Sequence, residues 1–482
     1  MSEENLDNSY LEEKLPLRNK LAFAAIAFTS GIFSGLVLTT GFTQFYVEKF
    51  NVSATLTTLA WAIFIIWNTI NDPLIGFYQE RTGSEEHGRR APYLRYGAPI
   101  YAGLFILSWF PFIPGEIGIF INMVLILFFF DTIFTTVGLI SYSLPAEMTV
   151  SEHARSDLMV YGSIASALAL MFSFILPQLL NSKHYTQDPG FPLFRLIMII
   201  IGIIGGIILF VSSYYIKENK YSVLEEPLGF KDSFVETIKN KSFLIFEGAN
   251  FIYLIAQFIL TQGISFYLQY GLGLRSSVIR MLLLAMFFLV VFVSLPVHSR
   301  IVDKLGVKKT FVFILSFLAI SFYIGFFGLA WYFSLAIIFL ILIGFGFSGF
   351  FLTNQMVMAD IIDYDEIRTG KRRETSYSGM NALFTKPANS IGPIVLLSIL
   401  TFFGYSAGVS LYSPVAVLAD VKFGVILAFT LVPAILISIA AVIINFFPLE
   451  GDKWREKKKK LHKTHKQKEK EFIDHLKESG KL

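Results

Sequence analysis

The stretch Ile65–Gly83, "IIWNTINDPLIGFYQERTG", decides how this chain is read. It places Asp72 near the end of a long apolar run, with Asn68 and Asn71 beside it. Burying an ionised carboxylate among apolar side chains is costly, so its presence depends on the solvent around the run. The composition identifies that solvent. Of the 482 residues, 54% are hydrophobic and 16% charged, against about 25% charged in an average soluble domain. So little polar surface cannot coat a water-soluble globule of this size.

Apolar runs long enough to cross a bilayer, about 20 residues each, recur along nearly the whole chain. We read twelve, at 21–47, 55–79, 92–113, 118–143, 157–180, 193–216, 243–270, 277–298, 310–330, 332–358, 376–403 and 422–448. With no water in the hydrocarbon core, such spans must be helices that satisfy their own backbones. The expected fold class is an all-α polytopic membrane protein with twelve transmembrane helices. Basic residues collect in the loops after even-numbered spans: Arg81, Arg89 and Arg90, then Lys217 and Lys220, then Arg300, Lys304, Lys308 and Lys309, then Lys371, Arg372 and Arg373. The positive-inside rule then puts both termini in the cytoplasm of a multi-pass cell-membrane protein.

The opening "MSEENLDNSYLEEKLPLRNK" has neither the basic nor the apolar region of a signal peptide. With no cysteine, disulfides and thiol catalysis are excluded. The net charge of +4 comes largely from "KWREKKKKLHKTHKQKEK" near the end. That tail is expected beside anionic lipid headgroups, and no nucleic-acid partner is implied. No phosphate loop, zinc-type histidine spacing or nucleophile elbow occurs, so no enzyme and no cofactor are expected. The 51 Phe residues are read as lipid-facing filler.

The chain divides at a polar stretch. The segments are a cytoplasmic N-terminal segment 1–20, a six-helix half 21–216, a linker 217–242, a second half 243–448 and a basic tail 449–482. "DPLIGFYQERTGSEEHGRRAPY" after the second span is echoed by "LPVHSRIVDKLGVKKTF" after the eighth. Two parallel halves with a site between them near the bilayer midplane are the expected arrangement.

Ionisable residues inside spans are few: Asp72, Asp131, Glu247, Arg280 and Lys386. Placing one at the bilayer centre costs about 2.5–3.5 kcal/mol on insertion scales, and those that persist usually face a cavity. Asn68 and Asp72 are four residues apart and share a helix face, and Asn71 can add its carbonyl oxygen. One carboxylate with amide oxygens suits Na⁺, or a proton on Asp72. Arg280 and Glu247 lie near span ends, where snorkelling is expected. Lys386 has apolar neighbours on both sides and needs an acidic partner or a wet cavity.

Four motifs resemble the glycoside–pentoside–hexuronide cation symporters, the melibiose-permease-like branch of the major facilitator superfamily. They are "WNTINDPLIGF" at 67–77, "GRRAPYLRYGAP" at 88–99, "LPAEMT" at 144–149 and "ADIIDYDEIRTGKRRE" at 359–374. The resemblance runs from the first span to the twelfth and implies the major facilitator fold. It implies a cation site on the second and fourth helices, with Asp72 and Asn71 matching family positions and Asn68 replacing the family's first acid. The family threonine falls on Thr135 and the family lysine on Lys386. Residues expected to meet the substrate or couple to it are Lys386, Asp131 and Tyr142. Asp363, Asp365, Glu366, Arg372 and Arg373 are expected to form a cytoplasmic gate by pairing across the halves.

Sugar-gripping members resembling melibiose permease use acids in the first and fourth helices and an arginine in the fifth. Here the first span has no charge before Glu48, the fourth-helix position is Gly138, and the fifth falls near Ser163. Asp131 lies seven residues before Gly138, about 10 Å along the axis, as a possible stand-in. The expected function is symport of a small organic solute, a sugar or glycoside by family default, coupled to Na⁺ or H⁺, by a monomer in the bilayer. The alternatives are a lysolipid-like amphiphile as substrate, or a non-transporting membrane receptor on the same fold.

Overall fold

The computed structural model describes residues 15–81, 91–148, 152–180, 192–216, 237–370, 374–406, 409, 411, 413–458 and 460–461. Among them the secondary structure is helical, with no strand. α1 runs Leu17–Ser34, continues through a π-helical stretch at Gly35–Thr40 and ends in Phe42–Phe50. The first half continues with α2 (Ala54–Arg81), α3 (Ala91–Leu107), α4 (Glu116–Met148), α5 (Glu152–Ile175) and α6 (Pro192–Ser212). The second begins with α7, Lys241–Phe266 extended by a π-helical stretch at Tyr267–Gly271, and α8 (Ser277–Leu305). It continues with α9 (Val307–Phe327), α10 (Phe333–Thr369) and α11 (Glu374–Phe402). α12 spans Val415–Ile426, a π-helical stretch Leu427–Leu431 and Val432–Asn445.

Eleven of these helices are long and apolar enough to cross a bilayer. The remaining one, α3, has 17 residues, slightly short of the usual span, and packs with α4 and α6 of its own half. Local chemistry sets several boundaries. Asn240 caps α7 by accepting from the Ser242 and Phe243 amides at 3.1 and 3.4 Å, which satisfies donors that the first turn leaves open. Gly370 ends α10 at φ 71°, a left-handed conformation that glycine adopts without a Cβ penalty.

The described residues form two apolar cores. One gathers first-half residues such as Phe33, Trp61, Tyr101 and Trp109 and borrows Leu397. The other gathers second-half residues such as Tyr253, Phe339 and Phe429 and borrows Val47 and Phe174. The halves meet where α2 packs along α11, α5 against α8, and α1 against α7. Outward faces stay apolar, as at Ile203, Ile204 and Ile207 on α6, because hydrocarbon is their solvent. α7 and α11 approach closely at Gly392. A Cβ there would lie 2.5 Å from the Phe258 Cβ, so glycine lets these two backbones come together.

Candidate functional site

Asp72 on α2 and Thr135 on α4 bring their side chains to the seam with α11. The Thr135 hydroxyl donates to Asp72 Oδ1 at 2.8 Å. Lys386 reaches across from the other half, donating to the same Asp72 oxygen in a short ion pair and to Thr135 Oγ1 at 2.9 Å. Its ammonium is also 3.9 Å from Asp131 Oδ1. Asn71 Nδ2 donates to Asp131 Oδ2 at 2.8 Å and to Thr135 Oγ1 at 3.0 Å. Asn68 Nδ2 donates to the Lys386 backbone carbonyl at 2.9 Å. Pro387 follows that lysine inside α11; proline withholds one backbone donor and loosens the local helix.

The structure adds one acid to the expected cation set. Asp131, expected among the substrate or coupling residues, joins the cluster through Asn71 and Lys386, so the cluster holds two carboxylates. Asp131 and Thr135 are one helical turn apart on α4 and present to the same side, a spacing visible in the sequence. Three buried oxygens in the cluster have no hydrogen-bond donor: Asn68 Oδ1, Asn71 Oδ1 and Asp131 Oδ1. Buried acceptors are normally satisfied, so these three leave the cluster with more acceptors than donors. A Cβ added at Gly138 would meet nothing within 4 Å; space is open where the family's acid would project.

Other expected residues are placed differently. Asp365 and Glu366 are buried near the end of α10, where Asp365 Oδ1 accepts from Arg368 at 3.0 Å on the same helix. Asp363, two residues before Asp365, is half-buried. Arg372, Arg373 and the Tyr142 side chain lie outside the described residues. Neither Arg280 nor Glu247 snorkels. They are 1% and 2% exposed, because polar groups within the protein hold both.

Arg280 belongs to a network that the sequence reading missed, at the end of the bundle away from the chain termini. Its guanidinium donates to Gln269 Oε1 at 3.1 Å, and Gln44 of the other half donates to that same oxygen at 3.1 Å. Glu48 Oε1 accepts from Gln44 at 3.0 Å, Tyr270 at 3.1 Å and Tyr405 at 3.3 Å. Gln262 donates to the Leu38 carbonyl at 3.1 Å one layer deeper. The halves are therefore closed to each other at this end. A charge following the first span, with a glutamine one turn before it, was the signal available in the sequence.

Replacing Glu48 with Ala removes the acceptor of three buried donors and should open this closure. The native chain has no cysteine, so a single Ser265→Cys reporter behind the network gives a clean reading. Its labelling by an impermeant maleimide should speed up about tenfold in the Glu48→Ala background, as expected for about 1.4 kcal/mol of lost closure. Unchanged labelling would mean that the network does not hold the halves together.

The comparisons agree with this architecture. The profile of the family described as "MFS/sugar transport protein" matches residues 22–451. "Uncharacterized symporter YnaJ" of Bacillus subtilis (strain 168) is 24% identical over 477 residues, covering 96% of this chain and 98% of the relative. "Sodium-dependent lysophosphatidylcholine symporter 1" of Gallus gallus is 23% identical, covering 82% and 80%. Among solved structures, a bacterial homolog of the human lysosomal transporter Spinster, inward-facing and unoccupied, superposes with a TM-score of 0.63 at 13% identity, over 92% of this chain and 97% of that one. With twelve long helices among the described residues, a cross-half carboxylate–lysine cluster and a family match over most of its length, the chain belongs to the MFS/sugar transport protein family, as a multi-pass membrane transporter of the symporter type on the major facilitator fold.

Proposed function

We propose that the chain is a sodium-coupled symporter of a sugar or glycoside, with the ion held by Asp72, Asp131, Thr135 and Asn71. One observation carries this reading: the Lys386 ammonium lies within a cage of two carboxylates and a hydroxyl, where a free cation would sit. Lys386 acts as a tethered stand-in. When Na⁺ arrives, the ammonium gives up Asp72, and the tie between α2 and α11 is released. With both acids ionised, the cage and its lysine carry a net charge of −1, which one monovalent ion brings to zero. Neutralisation lowers the cost of moving the site through a hydrocarbon-flanked, occluded state. The unpartnered amide oxygens favour sodium over a proton, since a proton needs one acceptor and a small hard cation needs several. The name of the chicken relative, which is sodium-dependent, supports the same ion. The basic loops support a reading with both termini on the cytoplasmic side of the cell membrane.

A second reading, an amphiphile as substrate, is favoured by an apolar pocket in the second half, reaching the α5–α8 seam. Its walls include Phe174, Phe287, Phe288, Phe322, Phe347 and Phe429, which suits an alkyl chain better than a hydroxylated ring. Uptake into proteoliposomes, with sugars and lysolipids offered under Na⁺ or pH gradients, separates these readings. Thr135→Ala should raise the Na⁺ needed for half-maximal uptake about tenfold, the loss expected from one hydrogen-bonding oxygen. It should leave substrate half-saturation within about twofold. Uptake driven by a pH gradient and indifferent to Na⁺ would overturn the sodium site.

A further inference from the structure

A second buried acid lies in the other half, away from the cage. Glu247 sits six residues after the start of α7, about 9 Å along the helix. No ion pair to it occurs among the described residues. The elements packed on α7 provide no nearby counter-charge. α12 has no titratable residue between Val432 and Asn445, and neither do the π-helical stretches at Gly35–Thr40 and Leu427–Leu431. On α11, the Tyr377 hydroxyl is engaged by Asn240 and Lys386 by Asp72; the Glu374 side chain is outside the described residues. On α10, Asp360 is held by Lys458 and Trp454 and Asp365 by Arg368, while Asp363, Tyr364 and Glu366, in its last two turns, are not cations. On α7 itself, Lys241 is at the first turn and Tyr253 stacks on Phe350.

The neighbours of Glu247 are instead two amides. One terminal side-chain atom of Asn381, on α11, lies 2.9 Å from Glu247 Oε1, 3.3 Å from Oε2 and 3.1 Å from Asn250 Nδ2. As an oxygen, that atom accepts from Asn250 Nδ2, and its approach to Glu247 requires a proton on the carboxyl, which then donates to Asn381. As a nitrogen, it donates to an ionised carboxylate but faces Asn250 Nδ2 donor to donor. That clash disappears only when Asn250 also turns over, bringing up its oxygen, which otherwise has no partner. Amide orientation follows from the hydrogen-bond network, so the cluster has two self-consistent patterns, one for each protonation state. An ionised carboxylate there would need a counter-charge, and the elements packed on α7 supply none.

We propose that Glu247, with Asn381 and Asn250, is a second cation site that takes only a proton, carried on the C-terminal half. A metal ion is poorly served there, because the cluster offers a single carboxyl and two amides already committed to each other. The site does not depend on which ion or solute occupies the cage at Asp72. Asn381 also accepts, through its backbone carbonyl, the Thr385 hydroxyl at 2.7 Å. The proton site is thus on the same helix as Lys386, little more than one turn away.

Infrared spectroscopy of the full-length protein in detergent across a pH titration tests this directly. The wild type should show a protonated-carboxyl C=O stretch that persists at neutral pH, retained in Asp72→Asn and lost in Glu247→Gln. Asn381→Leu, which keeps the acid but removes its acceptor, should shift the band and move its midpoint by about one pH unit or more, a tenfold change in proton affinity. Absence of the band in the wild type, its survival in Glu247→Gln, or an unmoved band in Asn381→Leu would each overturn the proposal.

Discussion

Asp72→Asn should abolish gradient-driven uptake, by at least about a hundredfold, while leaving a folded transporter. The carboxamide keeps the shape of the side chain and can still accept from Thr135, which donates to Oδ1 at 2.8 Å in the wild type. Lys386 retains Thr135 at 2.9 Å and Asp131 at 3.9 Å, so α11 need not come away from the first half. What changes is charge. With Asp131 alone ionised, Lys386 already neutralises the cage, and a free cation has nothing left to balance. The loss of a charged partner is worth about 1.5–3 kcal/mol per hydrogen bond, enough to empty the site at ordinary ion concentrations. Substrate counterflow, which needs no ion gradient, should persist at a measurable rate. Concentrative uptake that survives with its cation dependence intact would remove Asp72 from the coupling role.

Lys386→Gln should have the opposite signature, tighter ion binding with transport lost. Removing one member of a buried ion pair leaves an uncompensated charge and typically costs about 3–5 kcal/mol. Here two carboxylates, Asp72 and Asp131, would be left facing an empty cage. The ion-free protein should therefore melt earlier than the wild type, and Na⁺ should restore most of the loss. A tethered competitor acts at an effective concentration in the millimolar range or above. Its removal should lower the Na⁺ concentration for half-maximal thermal stabilisation about tenfold or more. Uptake should fall because nothing displaces the bound ion on the return step. Unchanged Na⁺ titration with normal uptake would reduce Lys386 to a structural tie between α2 and α11.

Much of the site was legible because intramembrane charge is rare enough to stand out. Asp72, Thr135 and Lys386 were identified from the cost of burial and the family motifs, and the structure brings them within hydrogen-bond reach of one another. Asp131 was singled out as a coupling residue, but its approach to Asn71 and Lys386 could not be read along one helix. Glu247 and Arg280 were misjudged for a related reason. Closeness to a span end says how far a side chain is from water along the helix axis, and nothing about which neighbours cover it.

The sequence alone determined that this chain lives in a bilayer, has twelve spans in two halves and carries a carboxylate–lysine chemistry between them. Hydropathy and intramembrane charge are properties of single helices, set by the solvent around each one. Only the tertiary structure decided which polar groups share a cavity: that the cage has two acids, that Glu48, Gln269 and Arg280 close one end, and that Glu247 faces two amides instead of a cation. Those facts depend on how helices hundreds of residues apart are rotated against one another. Rotation is fixed by close packing of the kind seen at Gly392 against Phe258, which no periodicity along a single chain segment encodes.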